Sequence, residues 1–324
     1  MHLIIPYAAS HAISGPEVWA GLQLPNLQAL LGQMQRQQEL QDPETPTLHL
    51  PHECLHAQAL GWPAKATALP WAAWHQAQQG QHSPAPQAWM TPCHWQIGMD
   101  QVVMADPAHL HLSDQESQQL LQAMQPYFQE DGLQVTWHSA LQWHAQGEML
   151  ADLPTASLDR VIGQNVKDWM PDHPAAQPLQ RLQSEMQMLL YQHPVNDARD
   201  ARRQIAVNAF WLHGAGTLPV SGPAAAQAGP HLPSPAPVHV PSRLRPGALH
   251  GHAPDWLQAW QQLDASAVAD LLQHVKATGQ GTLSLCSEHR AHTYTATPPA
   301  WHRRITRLFH KTSAAVALQA LVSP

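Results

Sequence analysis

Short apolar runs alternate along the chain with longer segments in which apolar residues recur every three or four positions. Runs or alternations of strand length at 3–7, 133–137, 205–212 and 282–286 predict β-strands. Helical spacing predicts helices at 24–34, 51–61, 113–128, 158–169, 179–191 and 256–275. The alternation of strands and helices predicts an α/β fold with a largely parallel sheet.

Residues that begin or end helices define several of these boundaries. Ser113 and Glu116 form the S-x-x-E pattern of a capping box, which predicts a helix start at this point. Pro51 suits the first turn of a helix, so the helix at 51–61 is expected to begin there. The stretch 62–95 lacks periodicity and is expected to be mostly loops. Two further irregular segments are expected: a turn at 213–216 and a Pro- and Ala-rich loop or linker at 217–251.

The composition excludes several classes of function. The chain has 324 residues, enough for one large domain or two, and 44% of them are hydrophobic, as in a globular protein. The net charge of −7 gives no basic surface, so nucleic acid is not expected as a partner. No segment reaches the ~18 apolar residues of a membrane span, and no signal peptide is expected. The cysteines are odd in number and far apart, so reduced thiols and a cytoplasmic location are expected.

The segment His52-Glu53-x-x-His56 matches the H-E-x-x-H motif of zinc hydrolases. In that interpretation His52 and His56 bind Zn²⁺ from one helix face, and Glu53 is the general base. Against it, Ala59 and Trp62 stand where the extended motif needs other residues. Because the chain contains 24 histidines, local hydrogen bonding on a His-rich surface is the simpler explanation.

The same segment also supports a second hypothesis. Residues 50–62 (LPHECLHAQALGW) resemble the nucleophile loop of the cofactor-independent phosphoglycerate mutases, G-N-S-[DE]-x-x-H-x-x-x-L-G-[YF]. Residues 3–8 (LIIPYA) are similar to the family's first strand, V-L-[IV]-x-D-G, with Tyr7 in place of the metal-binding aspartate. Residues 285–289 (LCSEH) resemble its T-x-D-H element, which makes Glu288 and His289 candidate metal ligands. Residues 251–255 (GHAPD) are similar to its G-H-x-x-D element and add His252.

Further segments carry the resemblance through most of the chain. Residues 24–27 (LPNL) and 207–216 (VNAFWLHGAG) look like family elements, and 156–163 (ASLDRVIG) and 189–197 (LLYQHPVND) look typical of the Rpf E-type regulatory family of proteobacteria. The resemblance implies an alkaline-phosphatase-like core, with a mostly parallel sheet flanked by helices and an inserted second lobe. It divides the chain into 1–216, with the lobe at about 90–200, then the 217–251 linker and 252–324 as the C-terminal part of the core.

Two departures from the family pattern bear on activity. The mutase reaction needs a serine that accepts the phosphoryl group and a carboxylate that binds a divalent ion. Here His52 stands at the serine position and Tyr7 at the aspartate position. We therefore expect a divergent mutase-like protein that is catalytically impaired, with a regulatory or ligand-sensing role toward a small anionic ligand or a protein partner.

Two alternatives remain open from the sequence. The first is an active metal-dependent phosphotransferase or phosphatase that uses His52, Glu288 and His289, and the second is the H-E-x-x-H zinc hydrolase. Mn²⁺, Mg²⁺ or Zn²⁺ would suit these candidates, and a metal-free protein is equally compatible with the sequence. Asp159 and Arg160 are candidates for binding a phosphate or carboxylate of a substrate, since Arg makes bidentate contacts with such groups. An ion pair within the helix or on the surface is the simpler explanation of these two residues.

Overall fold

The computed structural model describes residues 1–13, 15–43, 47–63, 68–151, 153–171, 174–218, 237–296 and 313–323. The β-strands, in chain order, are β1 (His2–Ile5), β2 (Gln35–Gln41), β3 (Gln87–Cys93), β4 (Trp95–Ile97), β5 (Val102–Met104), β6 (Gln134–Ser139), β7 (Gln142–Gln146), β8 (Ala209–Gly216), β9 (Val238–His239), β10 (Gly281–Cys286) and β11 (Arg290–Ala296).

The α-helices alternate with these strands, so the α/β class is confirmed. In chain order they are α1 (Pro16–Gly21), α2 (Pro25–Leu31), α3 (Pro51–Ala59), α4 (Trp71–Gln78), α5 (Asp114–Glu130), α6 (Leu158–Val161), α7 (Gln177–Tyr191), α8 (Pro194–Ala201), α9 (Arg245–Leu249), α10 (Ala253–Leu263), α11 (Ala269–Thr278) and α12 (Ala314–Gln319). Short 3₁₀-helices occupy His11–Ile13, Pro107–Leu110, Glu148–Leu150, Val166–Trp169 and Pro174–Ala176, and a π-helical turn at Asp264–Val268 joins α10 to α11. No helix in the described ranges is both long enough and apolar enough to cross a membrane.

The chain divides into two compact units. Residues 1–64 and 223–324 form the first unit, and residues 65–222 form the second. The sheet of the first unit has the order β2-β11-β10-β1-β9, and the sheet of the second has the order β6-β7-β3-β8. In the second unit β4 and β5 form a separate hairpin. The division into a mutase-like core with an inserted lobe stays a prediction.

The sheet of the first unit is mixed. β1 runs parallel to β9 and β10, whereas β11 is antiparallel to both of its neighbours, β10 and β2. This corrects the expectation of a mostly parallel sheet. The reason is local: only residues 287–289 join β10 to β11, and so short a connection can only produce an antiparallel pair, because a parallel pair needs a crossover of a dozen or more residues.

Helices cover both faces of this sheet. Leu3 and Ile5 of β1 belong to a core shared with Leu283 of β10 and the tryptophans of α10. Ile4 faces the other way and packs with Leu55 of α3. The period of two in β1 therefore fixes which helix meets which face.

The second unit is antiparallel and asymmetric. One face of its sheet packs against α5 and α7 through a core that includes Met90, Phe128 and Leu182. α4 lies against β3 and β8 on the sheet. Ser113 and Glu116 form the predicted capping box at the start of α5: the Ser113 hydroxyl accepts a bond from the Glu116 amide at 3.2 Å, and the Glu116 carboxylate accepts one from the Ser113 amide at 3.0 Å.

Several element predictions are wrong. The stretch 62–95, expected to be mostly loops, contains α4 and β3, and all seven residues of β3 are buried. The helix expected at 158–169 ends after α6, because Gly163 adopts a left-handed conformation with φ of 75°. The turn expected at 213–216 is the end of β8. Of the segment 217–251, residues 219–236 lie outside the described residues, and 237–251 contain β9 and α9 where no regular structure was expected.

Candidate functional site

The candidate site lies in the first unit, where β1 and β10 end side by side. Ile5 is the register partner of Leu285, so both strands reach the carboxyl edge of the sheet together. The segments that leave them stay in contact, since the amide of Ala8 donates a hydrogen bond to the carbonyl of Cys286 at 2.7 Å. In open α/β sheets this edge is where ligands bind.

The loop that follows β1 is held in an unusual backbone conformation. Tyr7 is buried and has a φ of 54°, in the left-handed region that a residue with a side chain rarely adopts. The indole N–H of Trp256 donates to the Tyr7 carbonyl at 2.9 Å, and that of Trp260 donates to the Ala8 carbonyl at 3.1 Å. Both bonds are buried, so helix α10 fixes where the Tyr7 side chain can lie.

Tyr7 and His52 meet at this edge. Their ring centroids are 5.9 Å apart with an angle of 50° between the ring planes. His52 is the second residue of α3, which begins at Pro51 as the sequence predicts. The two positions that the resemblance assigns to a metal-binding aspartate and a nucleophilic serine are therefore in contact, although 44 residues lie between them.

Glu53 is engaged in the start of α3. Its Oε2 accepts a hydrogen bond from the amide of Leu50 at 2.7 Å, which satisfies a donor just before the helix. His56 lies one turn further along α3, and burial lowers its pKa. The pKa of His2 is lowered to about 4, mainly by burial and further by the N-terminal amine and His56. Glu53 thus has a structural role at the start of α3 that requires no metal.

Glu288, which follows β10, pairs with His11. The Nδ1 of His11 and the Oε2 of Glu288 are 3.3 Å apart. Burial by itself raises the pKa of Glu288, but hydrogen bonds from His11 and Ser10 outweigh it and leave the pKa below its usual value. The hydrogen bond to Glu288 raises the pKa of His11 against the effect of burial. The pair therefore favours a carboxylate next to an imidazolium.

His289 forms a second imidazole–carboxylate pair beside the first. Its Nδ1 lies 3.2 Å from Oδ2 of Asp42, and the Asp42 amide donates to the His289 carbonyl at 2.8 Å. The ring centroids of His11 and His289 are 5.7 Å apart. Two imidazoles and two carboxylates thus occupy one surface, an arrangement that can hold protons and offer imidazole N–H donors to a ligand.

The other predicted site residues lie elsewhere. His252 precedes α10 and pairs with Asp255 of the same helix, with 3.0 Å between Nδ1 and Oδ2. Asp159 and Arg160 belong to α6 in the second unit. Arg160 is only 4% exposed, with its guanidinium 6.0 Å from the ring centre of Trp169, so its side chain does not lie on the surface. Burial lowers the pKa of His213 to about 4, and the negative charge of Asp159 shifts that pKa in the opposite direction.

The residues at the strand edge do not fit the metal centre that the resemblance implies. Tyr7 offers a phenol where that centre needs a carboxylate, and hard divalent ions prefer carboxylate oxygen. Glu288 is paired with His11, and His289 is paired with Asp42. Among the residues that the structure describes, no three His, Cys, Asp or Glu side chains come together in a way that could hold a metal ion.

Sequence reasoning missed three members of this edge: Ser10, His11 and Asp42. Ser10 and His11 follow the first strand by a few residues, so their position after a buried strand could have indicated them. Asp42 could not have been found in this way, because it follows β2, which reaches the site only through its antiparallel pairing with β11.

No protein-family model matches the chain, and no curated protein matches it. Solved structures with some similarity include the cofactor-independent phosphoglycerate mutase from Thermoplasma acidophilum DSM 1728, at 13% sequence identity and a TM-score of 0.37, covering 100% of this chain and 99% of that chain. Another is the PH0037 protein from Pyrococcus horikoshii, at 11% identity and a TM-score of 0.45, covering 93% of this chain and 88% of that chain. Both similarities are low, and the site described above rests on this chain's own residues.

Proposed function

We propose that this protein is a divergent relative of the cofactor-independent phosphoglycerate mutases that has lost the ordinary mutase reaction. Its strand-edge site would serve ligand sensing or regulation in the cytoplasm, as in the Rpf E-type family that its sequence resembles. The contact between Tyr7 and His52 carries this proposal. It supports the alignment, because two positions that the family uses in one centre are adjacent here. It also supports the loss of the ordinary mutase reaction, because Tyr7 lacks the metal-binding carboxylate and His52 lacks the serine hydroxyl.

The imidazole–carboxylate pairs at the same edge of the sheet support a binding role. The pKa of His11 is raised by Glu288, so its imidazolium form is favoured, and a second imidazole belongs to His289. Together with His52 these rings offer N–H donors to an anion. A small phosphorylated or carboxylated ligand is therefore the class of molecule that the site would recognise. None of the three cysteines, Cys54, Cys93 and Cys286, forms a disulfide in the structure, in keeping with a reducing compartment.

The first experiment is a mutase assay on the full-length protein with Mn²⁺ or Mg²⁺, with an active mutase as the positive control. We expect no interconversion of 2- and 3-phosphoglycerate, because loss of a covalent nucleophile and loss of a metal ligand each cost several powers of ten in rate. Metal-dependent turnover that disappears in His52→Ala would contradict the proposal and favour the metal-dependent phosphotransferase. A zinc-dependent peptidase activity abolished by Glu53→Gln would favour the zinc hydrolase.

The second experiment tests ligand binding. Thermal unfolding is followed with 3-phosphoglycerate or inorganic phosphate as the probe, since a ligand that binds only the folded state raises the midpoint. We expect stabilisation of the wild type and its loss in His52→Gln and His11→Gln. His82→Gln, an exposed histidine of the second unit, is the matched control and should behave as the wild type. Equal stabilisation of all four proteins would place the binding outside this site.

A further inference from the structure

A groove in the second unit, with a volume of about 700 Å³, shares no residue with the candidate site of the first unit. Its volume falls in the range of sites that hold a small molecule or a few side chains of a partner. It lies between the end of α7, the helix α8 and the strand β4. The residues of its wall that matter for recognition are Trp95, Ile97, Leu190, Tyr191, Asp197 and Asp200.

Large apolar side chains stand exposed around this groove. Ile97 is 79% exposed and Tyr191 is 82% exposed, and both line it. Met188 is 79% exposed and lies three residues before Tyr191, on the same face of α7. Single exposed apolar residues are common, but several around one groove indicate a contact surface. Tyr and Met are also enriched where proteins bind each other.

The groove carries negative charge. Asp197 and Asp200 are three residues apart on α8, and both are exposed and line the groove. Burial lowers the pKa of His193, which precedes α8, even though the Asp197 charge acts in the opposite direction. That imidazole is therefore neutral near pH 7 and does not compensate the carboxylates.

Two other polar side chains of the wall, those of Asn196 and Asn208, are already used within the fold. Asn196 donates to the carbonyls of Leu190 and Val207 at 2.8 and 2.7 Å and accepts from the Val207 amide at 2.9 Å. Asn208 bonds to both backbone groups of Trp95. These bonds fix the floor of the groove, and Asp197 and Asp200 are the charged side chains among its lining residues.

We propose that this groove docks a basic segment of a partner protein. Lys or Arg side chains of the segment pair with Asp197 and Asp200, and an apolar residue beside them packs against Ile97 and Tyr191. The net charge of the whole chain, −7, attracts a basic partner and repels a second copy of this chain, so it favours the partner over self-association. This docking does not depend on the strand-edge site of the first unit.

The test measures binding of labelled peptides to the full-length protein by fluorescence anisotropy. The probes are three acetylated, amidated octapeptides with alternating residues: Leu-Lys, Leu-Gln and Leu-Glu repeats. We expect the Lys peptide to bind, and to bind more weakly as salt rises, while the other two bind much less. The double variant Asp197→Asn/Asp200→Asn should weaken binding about five- to tenfold, as expected for two exposed ion pairs. Tyr191→Ser should weaken it about tenfold through lost apolar contact.

Asp270→Asn, an exposed carboxylate on α11, is the matched control and should bind as the wild type does. Circular dichroism checks that each variant is folded. If a variant is not folded, Ile97→Ser, which removes the other exposed apolar side chain of the groove, is tested in its place. Equal binding of the Lys and Gln peptides, or wild-type affinity in the double variant, would overturn the proposal. Concentration-dependent dimerisation that Tyr191→Ser abolishes would also overturn it, in favour of a second copy as the occupant.

Discussion

The indole N–H of Trp256 donates a hydrogen bond to the backbone carbonyl of Tyr7 at 2.9 Å, although the two residues are 249 positions apart. Both are buried, and Trp260 makes the equivalent bond to the next residue, Ala8. A helix near the C-terminus therefore positions the loop that brings Tyr7 to His52. The candidate site depends on the packing of the whole first unit and not only on the segments that contribute its side chains.

Trp256→Phe is expected to destabilise the protein by about 1–3 kcal/mol, because it leaves the buried Tyr7 carbonyl without its donor while keeping an aromatic ring in the core. Trp260→Phe should have an effect of the same size through Ala8. Urea unfolding, followed by circular dichroism, measures both. A loss below ~0.5 kcal/mol in both variants would show that neither bond stabilises the loop.

Asp264→Asn is expected to cost about 1–3 kcal/mol, the range for removing a charged acceptor from buried donors. Asp264 is buried, and its carboxylate accepts bonds from the amides of Asn26 and Leu27 at 3.1 and 2.8 Å. It therefore caps the N-terminus of α2 from the turn between α10 and α11. Asp270→Asn removes an exposed carboxylate nearby in sequence and should change the unfolding free energy by less than ~0.5 kcal/mol. Equal effects in the two variants would contradict the capping role.

The pair of His11 and Glu288 predicts a window of pH in which it adds stability. The pKa of His11 is raised, so its contribution is fully present below the ordinary value of 6.5 and is lost as the pH rises through the raised pKa. The pKa of Glu288 is lowered, so its contribution is present above its ordinary value of 4.5 and is lost as the pH falls through the lowered pKa. Unfolding free energies of the wild type and His11→Gln, measured from pH 3 to 9, should differ most near pH 5–6. A difference that persists unchanged at pH 9 would rule out an ion pair.

A cluster of histidines in the second unit predicts that acid lowers the stability of the protein. The ring centroids of His75, on α4, and His138 are 5.4 Å apart. The ring of Trp89 contacts His75, His138 and also His144. Burial and then mutual repulsion lower the pKa values of His75 and His144. The elements that carry these residues, α4, β3, β6 and β7, contain no carboxylate or other charged side chain. His213 of the neighbouring strand β8 is also titratable: burial lowers its pKa to about 4, and the charge of Asp159 opposes that shift.

The free energy of unfolding should therefore fall as the pH falls below about 6.5. In that range the histidines of the unfolded chain bind protons, whereas those of the folded cluster, with their lowered pKa values, stay neutral. His75→Gln removes one imidazole from the cluster and should flatten this dependence between pH 6.5 and 5, as measured by the urea midpoint at each pH. His82→Gln, an exposed histidine just after α4, serves as the control. An unchanged slope in His75→Gln would show that the cluster does not drive the acid response.

The sequence by itself determined the elements whose signals are local. The capping box of Ser113 and Glu116, the start of α3 at Pro51 and the apolar strands β1 and β10 all lie where the sequence predicts them. Each depends on residues within a few positions of one another: a side chain that caps its own helix, a fixed φ in a first turn, or a short run that cannot remain in water. The α/β class follows from the same local periodicities.

Only the tertiary structure decided the partners in the site. Asp42 reaches His289 because β2 pairs with β11, and Asp264 caps α2 across 237 residues, so no local pattern marks either of them. The same holds for α4 and β3, whose residues show no clear periodicity because the strand is buried on both faces. The sequence could name Tyr7 and His52 as altered positions, but their contact arises from packing, since side chains far apart in the chain meet only when the buried core holds their backbones in place.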